Sequence, residues 1–197
     1  MVWAVVLAAG ESRRMGEPKL LLPFGEKTMI ESILDNLLRS KAGKILVVVG
    51  SHRKEILKKI GDRPVETAIN RRYREGMLSS IQAGFKTLPR DIPAALVCLG
   101  DQPFIPFSVS NALIEAYEGT QKGIILPVYK RRRGHPILID TKYRQEIMDL
   151  SPETGLKTLV HNHPEDILEI AVEAPQILKD IDYPEDYESQ LANKEEK

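Results

Sequence analysis

Residues 5–23, VVLAAGESRRMGEPKLLLP, decide the fold of this 197-residue chain and much of its chemistry. An apolar run, Val2 to Leu7, ends in Ala8-Ala9-Gly10. A loop carrying Ser12, Arg13, Arg14, Gly16 and Lys19 follows, and the chain turns apolar again at Leu20. A strand that runs into a small-residue turn leaves backbone N–H groups free to face an anion or a base edge. Arg14 and Lys19 add the fixed positive charge that a polyphosphate requires and a neutral ligand does not. The stretch therefore reads as the first strand and binding loop of a nucleoside triphosphate site. A Gly-rich turn after a first strand is common in α/β proteins of every function, so other motifs must carry the rest. Neither GxGxxG nor GxxxxGK[ST] is present, which argues against a Rossmann dehydrogenase and a P-loop ATPase or GTPase.

Outward from this loop, apolar runs alternate with segments of helical period, the pattern of a three-layer α/β fold: a mostly parallel sheet flanked by helices. Strands are expected over 2–7, 44–49, 65–69, 94–99, 124–128, 136–139 and 167–172. Between the first two, Thr28 and Glu31 form a capping-box pair, and Ile30, Ile33, Leu34, Leu37 and Leu38 line one helix face. Further helices are expected over 54–60, 78–87, 108–117, 143–150 and 156–161, and Pro184 suits the first position of a C-terminal helix. No repeat or linker interrupts residues 1–190, which read as one domain; 191–197 read as a polar tail that frays.

Lys+Arg and Asp+Glu both number 28, so the formal charge is zero, which argues against nucleic acid or an anionic membrane as partner. The run Lys130-Arg131-Arg132-Arg133 is ordinarily a solvated face, but it directly precedes Gly134-His135-Pro136 and also suits an anionic substrate approaching that edge. The single cysteine, Cys98, lies in an apolar run and reads as a buried, inert thiol. Nothing resembles a signal peptide, and no run approaches the roughly 18 apolar residues of a membrane span, so a soluble, cytoplasmic protein is expected.

Ligands of open α/β sheets bind beyond the carboxyl ends of the strands. Ala8-Ala9-Gly10 follows the first expected strand, Asn70 to Ser80 the third, and Asp101-Gln102-Pro103 the fourth, so three separated segments should meet at one edge. Asp101 puts a carboxylate where Mg²⁺ on a triphosphate would share it; read alone, an Asp two residues before a Pro is equally a turn former. Ser79 and Ser80 open a helix, where they either cap it or bond a base or ribose. Asp182-Tyr183-Pro184-Glu185-Asp186, read alone, is a helix entry with acids in the first turn.

The chain resembles the MobA-like nucleotidyltransferases. The resemblance rests on Leu7-Ala8-Ala9-Gly10-Glu11-Ser12-Arg13-Arg14-Met15-Gly16-Glu17-Pro18-Lys19, which looks like LAAGxSxRMGxxK. Gly76 to Ile81, Leu99-Gly100-Asp101-Gln102-Pro103, Arg133-Gly134-His135-Pro136 and Asp180 to Asp186 follow in the family's order. LLLP after the lysine, GDQP and RGHP bring it near the molybdenum cofactor cytidylyltransferase branch. The resemblance implies a Rossmann-like, GT-A-type fold and a Mg²⁺-dependent transfer of CMP from CTP to the phosphate of a molybdopterin-type cofactor, with Mn²⁺ as the alternative metal. It implies Lys19, Arg14 and Asp101 as catalytic residues, with Lys19 at the α-phosphate and Arg14 at the β and γ groups. The metal falls to Asp101 and Asp182. Nucleotide contacts are implied at Leu7, Ala8, Ala9, Gly10, Asn70, Ser79 and Ser80, and acceptor contacts at Gln102, Gly134 and His135. An acceptor molybdoenzyme or its chaperone is the further partner.

The chain departs from the family at two points. Tyr183 replaces the usual Thr, removing a hydroxyl cap, and Glu153 replaces Asp in a D-x-G segment. His161 and His163 lack the company of a zinc site. A GTP-using guanylyltransferase is the rival within the class, though that branch usually shows LAGG where this chain has Ala9. A sugar-phosphate nucleotidyltransferase or a glycosyltransferase is a rival outside it, the latter usually needing a DxD that Asp101-Gln102-Pro103 lacks. A non-catalytic cofactor-binding protein is disfavoured by the presence of both Lys19 and Asp101.

Overall fold

The computed structural model describes the backbone of residues 1–195 and the side chains through Leu191. In chain order the elements are β1 (Trp3–Ala8), β2 (Pro23–Phe24), β3 (Lys27–Thr28), α1 (Met29–Leu38), β4 (Lys44–Val49), α2 (Arg53–Ile60), β5 (Glu66–Ile69) and α3 (Met77–Thr87). They continue as β6 (Ala94–Leu99), α4 (Phe107–Glu118), β7 (Ile124–Tyr129), β8 (Arg132–Arg133), β9 (Ile137–Asp140), α5 (Arg144–Asp149), α6 (Lys157–Asn162), β10 (Ile167–Ala171) and α7 (Pro184–Glu195). Every strand and helix whose span the periodicity predicted is present.

The main sheet has eight strands in the order β10-β7-β9-β6-β1-β4-β5, with β8 paired to β7. β1 lies between β4 and β6 and is parallel to both, and β5 is parallel to β4. β9 runs antiparallel between β6 and β7. Side chains alternate across a strand with period two. Ala4, Val6 and Ala8 of β1 join Ile30 and Leu34 of α1, Ile56 of α2 and Leu113 of α4 on one face. Trp3 and Val5 join Phe85 of α3, Ile147 of α5 and Leu159 of α6 on the other. A sheet covered on both faces has no solvent side, which is why its central strands read as unbroken apolar runs. Burial pushes the Cys98 thiol up to about 12, in keeping with an inert core residue.

Three features differ from the sequence expectation. β2 and β3 pair as a hairpin around Gly25, too short to leave a periodic trace. The basic run is a second hairpin: Lys130 and Arg131 take positive φ at its tip, β8 pairs back onto β7, and Arg133 bonds Glu169 at 2.6 Å. Residues 191–195, expected as tail, continue α7; 196–197 lie outside the described residues. The α7 segment ends in charged and polar residues, but Tyr187 and Leu191 pack against Met15, Leu22, Phe24, Met29 and Ile181, so tertiary contact sustains the helix. At the other end of the chain, the Glu31 carboxylate accepts both the Thr28 N–H (2.9 Å) and its hydroxyl (2.6 Å), fixing the start of α1. Among the described residues no helix is long and apolar enough to cross a membrane.

Candidate active site

The site forms where the parallel strands end. β1 delivers Leu7, Ala8, Ala9 and Gly10 to the middle of this edge, β5 delivers Asn70, and β6 delivers Asp101. β9 explains how a motif that precedes a strand reaches the same place. Because β9 is antiparallel to β6, with Ile137 opposite Val97, its starting end lies beside the finishing end of β6 and carries Gly134 and His135 there. Two glycines let the strands crowd together. A Cβ on Gly100 would lie 2.5 Å from the Leu7 carbonyl oxygen, and one on Gly50 would lie 2.8 Å from the Ala9 Cβ, both closer than packing permits.

The signature loop is held from within and from below. Ser12 takes positive φ, its carbonyl accepts the Met15 N–H at 3.0 Å, and its hydroxyl accepts the Lys19 N–H at 3.1 Å. Met15 anchors the loop in the small core shared with Ile181 and α7. Lys19 and Arg14 are thereby aimed at two acids that the sequence separates by 81 residues or more. The Lys19 ammonium donates to Asp101 Oδ2 at 2.7 Å, to the Ile181 carbonyl at 2.9 Å and to Asp182 Oδ1 at 3.1 Å. Arg14 donates to Asp182 Oδ2 at 2.8 Å and lies over the Tyr183 ring, 5.6 Å from its centroid. Burial disfavours the Lys19 charge, but Asp101 and Asp182 outweigh it and hold its pKa above the ordinary value.

Tyr183, which cost the helix entry a hydroxyl cap, has been compensated. The Asp186 carboxylate reaches back to accept the backbone N–H groups of Asp182 (3.1 Å) and Tyr183 (2.9 Å), steadying the loop-to-helix corner that presents Asp182. The Ile181 N–H bonds the Asp101 carbonyl at 3.2 Å, tying the two acid-bearing segments directly together.

These groups floor a cavity of about 300 Å³ lined by Leu7, Ala9, Gly10, Arg14, Lys19 and Asp101, with Tyr73, Gly76, Met77 and Ser80 among the other lining residues. Asn70 and Ser79 stand behind that wall. The Asn70 amide donates to Ser79 Oγ (2.8 Å) and Ser80 Oγ (3.0 Å), and its oxygen accepts the Arg72 N–H at 2.8 Å. The Ser79 hydroxyl lies within bonding distance of the Arg72 and Gly76 carbonyls. Ser80 lines the cavity and accepts from Asn70, leaving its own proton to donate.

A second cavity, about 870 Å³, shares Met77 and Leu99 with the first. Its floor includes Ile81, Val97, Leu126, Ile137, Leu156 and Val160, while Arg133, His135, Lys157, His161 and Asp180 bring charge and polarity to it. Gly134 and His135 therefore face this space. Burial draws the His135 pKa below its ordinary value, with Asp101 opposing. Gln102, expected as an acceptor contact, does not line either cavity: it is buried behind Asp180, a lining residue of the second, and donates to its Oδ1 at 2.8 Å. Burial, and next the charge of Asp101, raises the Asp180 pKa. Sequence reasoning gave Tyr183 no positive role and gave Asp180, Lys157 and His161 no place in a ligand site. Only the i, i+4 spacing of Lys157 and His161 on one short helix could have signalled a shared face.

Among the described residues no group of three or more His, Cys, Asp or Glu side chains could hold a metal ion unaided. The donor set does fit a hard cation that brings phosphate oxygens with it. Mg²⁺ is commonly held by one or two carboxylates completed by phosphate and water. Asp101 Oδ1 is buried with no hydrogen-bond partner, an arrangement that ordinarily costs stability and here leaves an oxygen free to bind a cation.

Comparison with known proteins places the chain in a family. The model of the MobA-like NTP transferase domain matches residues 4–167. Molybdenum cofactor cytidylyltransferase of Escherichia coli (strain K12) is 25% identical over 186 residues, covering 93% of this chain and 92% of the relative. A probable molybdenum cofactor guanylyltransferase of Methanosarcina mazei is 34% identical over 139 residues, covering 68% of this chain and 60% of the relative. Among solved structures, the homologue of Mycobacterium tuberculosis Rv0371c from Mycobacterium sp. strain JC1 superposes with a TM-score of 0.84 at 27% identity, covering 98% of this chain and 96% of that one.

Proposed function

The chain belongs to the MobA-like NTP transferase family and is a nucleotidyltransferase, and on that premise we propose that it transfers CMP from CTP to the terminal phosphate of a molybdopterin-type cofactor. The observation that carries this reading is the Lys19 ammonium, bound to Asp101 at 2.7 Å on the floor of a nucleotide-sized cavity that opens beside a second one. In this reading the triphosphate lies along Arg14 and Lys19, and the base rests on the backbone of Leu7 to Gly10 and the Ser80 hydroxyl. Asn70 and Ser79 act by positioning Ser80 and the loop between them. The acceptor enters the second cavity, its ring system against the apolar floor and its anionic groups near Lys157, His161 and His135, with Gly134 in the wall and Gln102 holding Asp180 in place. An oxygen of the acceptor phosphate attacks the α-phosphorus in line; the bond from that phosphorus to the β-bridging oxygen breaks, and pyrophosphate leaves with the electron pair. Lys19 stabilises charge gathering on the α-phosphate, and alignment of the two substrates supplies much of the remaining acceleration. Mg²⁺, with Mn²⁺ the alternative, when bound by Asp101 and Asp182 with phosphate oxygens, neutralises triphosphate charge. An acceptor molybdoenzyme or its chaperone would receive the dinucleotide, in the cytoplasm.

The full-length likeness to a cytidylyltransferase and the Ala9 side chain favour CTP over GTP. Ala9 is buried and lines the cavity, and its methyl sits beside Gly50. A glycine at position 9 would let the wall recede and admit a larger base. One methyl is worth about 1–3 kcal/mol, so CTP is expected to outpace GTP by roughly 10–200-fold in kcat/KM. Ala9→Gly should narrow that ratio while largely keeping CTP turnover. Pyrophosphate release measured with CTP, GTP, ATP and UTP, each with molybdopterin cofactor, tests the assignment. Equal rates for CTP and GTP would remove the cytidylyl reading, and no pyrophosphate with any nucleotide would remove the proposed reaction.

A further inference from the structure

Two acids and two cations close on one another at the cavity floor. Of the four carboxylate oxygens of Asp101 and Asp182, Lys19 holds Asp101 Oδ2 and Asp182 Oδ1, and Arg14 holds Asp182 Oδ2. Only Asp101 Oδ1 has no partner. An ammonium carries three donors. Lys19 spends all three inside the protein, on the two acids and the Ile181 carbonyl, so none is left for a phosphate in this state. The place between the carboxylates that a divalent cation would share is thus taken by a fixed positive charge. A second cation approaching it meets repulsion that the partly buried surroundings screen poorly; the Lys19 and Asp101 side chains are only 16% and 19% exposed. A triphosphate reverses this. It offers both cations stronger anionic partners, and the four-carbon stem of Lys19 lets the ammonium swing toward them while its charge is conserved.

We infer that Lys19 and Arg14 act as placeholders that keep the acid pair shut to free metal ions, so that the protein takes its divalent cation as the metal–nucleoside triphosphate chelate. This inference rests on the nucleotidyltransferase reading of the same site. Each event then helps the other: drawing Lys19 onto the phosphates frees Asp101 and Asp182, and by linkage the cation raises nucleotide affinity by the same factor.

Mn²⁺ binding followed by electron paramagnetic resonance reads this out without turnover. In nucleotide-free protein, Lys19→Met should bind Mn²⁺ at least about tenfold more tightly than the wild type, within the usual range of coupling between sites. The gain should vanish in the Lys19→Met, Asp101→Ala double variant, which ties it to this pair. Equal or weaker binding by Lys19→Met, or a gain that survives the second substitution, overturns the inference. The wild type supplies a test independent of any variant's folding. Its Mn²⁺ affinity should tighten at least about tenfold once α,β-methylene-CTP is bound, with nucleotide occupancy verified by calorimetry. An unchanged affinity under bound nucleotide also overturns the inference. Failure of both α,β-methylene-CTP and its guanosine counterpart to bind would instead remove the functional reading, and the Lys19→Met comparison would still decide whether the lysine holds the acids shut.

Discussion

Asp101→Ala is expected to lower kcat/KM by at least about 10³-fold while the protein still unfolds cooperatively. The effect on rate follows from the loss of a metal ligand, because charge stabilisation by a bound cation is worth several kcal/mol and each decade costs about 1.4 kcal/mol. The small effect on the fold follows from the local bonding. Lys19 keeps the Ile181 carbonyl and Asp182 as acceptors, and the substitution also removes the unpartnered Oδ1 from the interior. The net loss of one charge-assisted bond is about 1–3 kcal/mol, visible as a fall in Tm of no more than about 10 °C. Steady-state turnover across a metal titration, paired with thermal unfolding, separates the two effects. Near-normal kcat at limiting Mg²⁺ would show that Asp101 is not a ligand. Asp182→Asn should be milder, since the amide oxygen still coordinates, and its defect should shrink as metal concentration rises.

Lys19→Ala is expected to lower kcat by about 10²–10³-fold with a smaller change in the KM for nucleotide. Charge gathers on the α-phosphate mainly in the transition state, so an ammonium placed there acts on kcat rather than on ground-state affinity. A substitution that raised KM alone would make Lys19 a binding residue. The same variant separates its two proposed tasks. Loss of the ammonium slows chemistry and simultaneously opens the acid pair, so the nucleotide-free variant should bind Mn²⁺ more tightly than the wild type. A parallel loss of metal affinity would mean that Lys19 supports the acids instead of blocking them.

Much of this molecule is written in local pattern. A strand buried on both faces must be apolar throughout, so residues 44–49 and 94–99 announce themselves, and α1 announces itself by its one apolar face and its Thr28–Glu31 start. The rule that ligands bind beyond the carboxyl ends of parallel strands brings Gly10, Asn70 and Asp101 to one edge before any coordinates are known. What lacks local pattern was invisible: two-residue strands such as β8, and the antiparallel direction of β9, which depends on pairing partners rather than on its own residues.

The sequence by itself determined the α/β class and the edge to which Gly10, Asn70 and Asp101 are brought, because these depend on residue type and short-range spacing; Asp182, which read alone is a helix entry, joined Lys19, Arg14 and Asp101 only through the family resemblance. Tertiary structure alone decided how those groups are paired. That Lys19 bridges two acids lying 82 and 163 positions away, that Asn70 and Ser79 stand behind Ser80, and that His135 faces a second cavity with Lys157 and His161 are outcomes of strand order and packing. The physical reason is that a side chain's partners are set by where the backbone delivers them in space, and contacts across such separations leave no periodic trace in the chain.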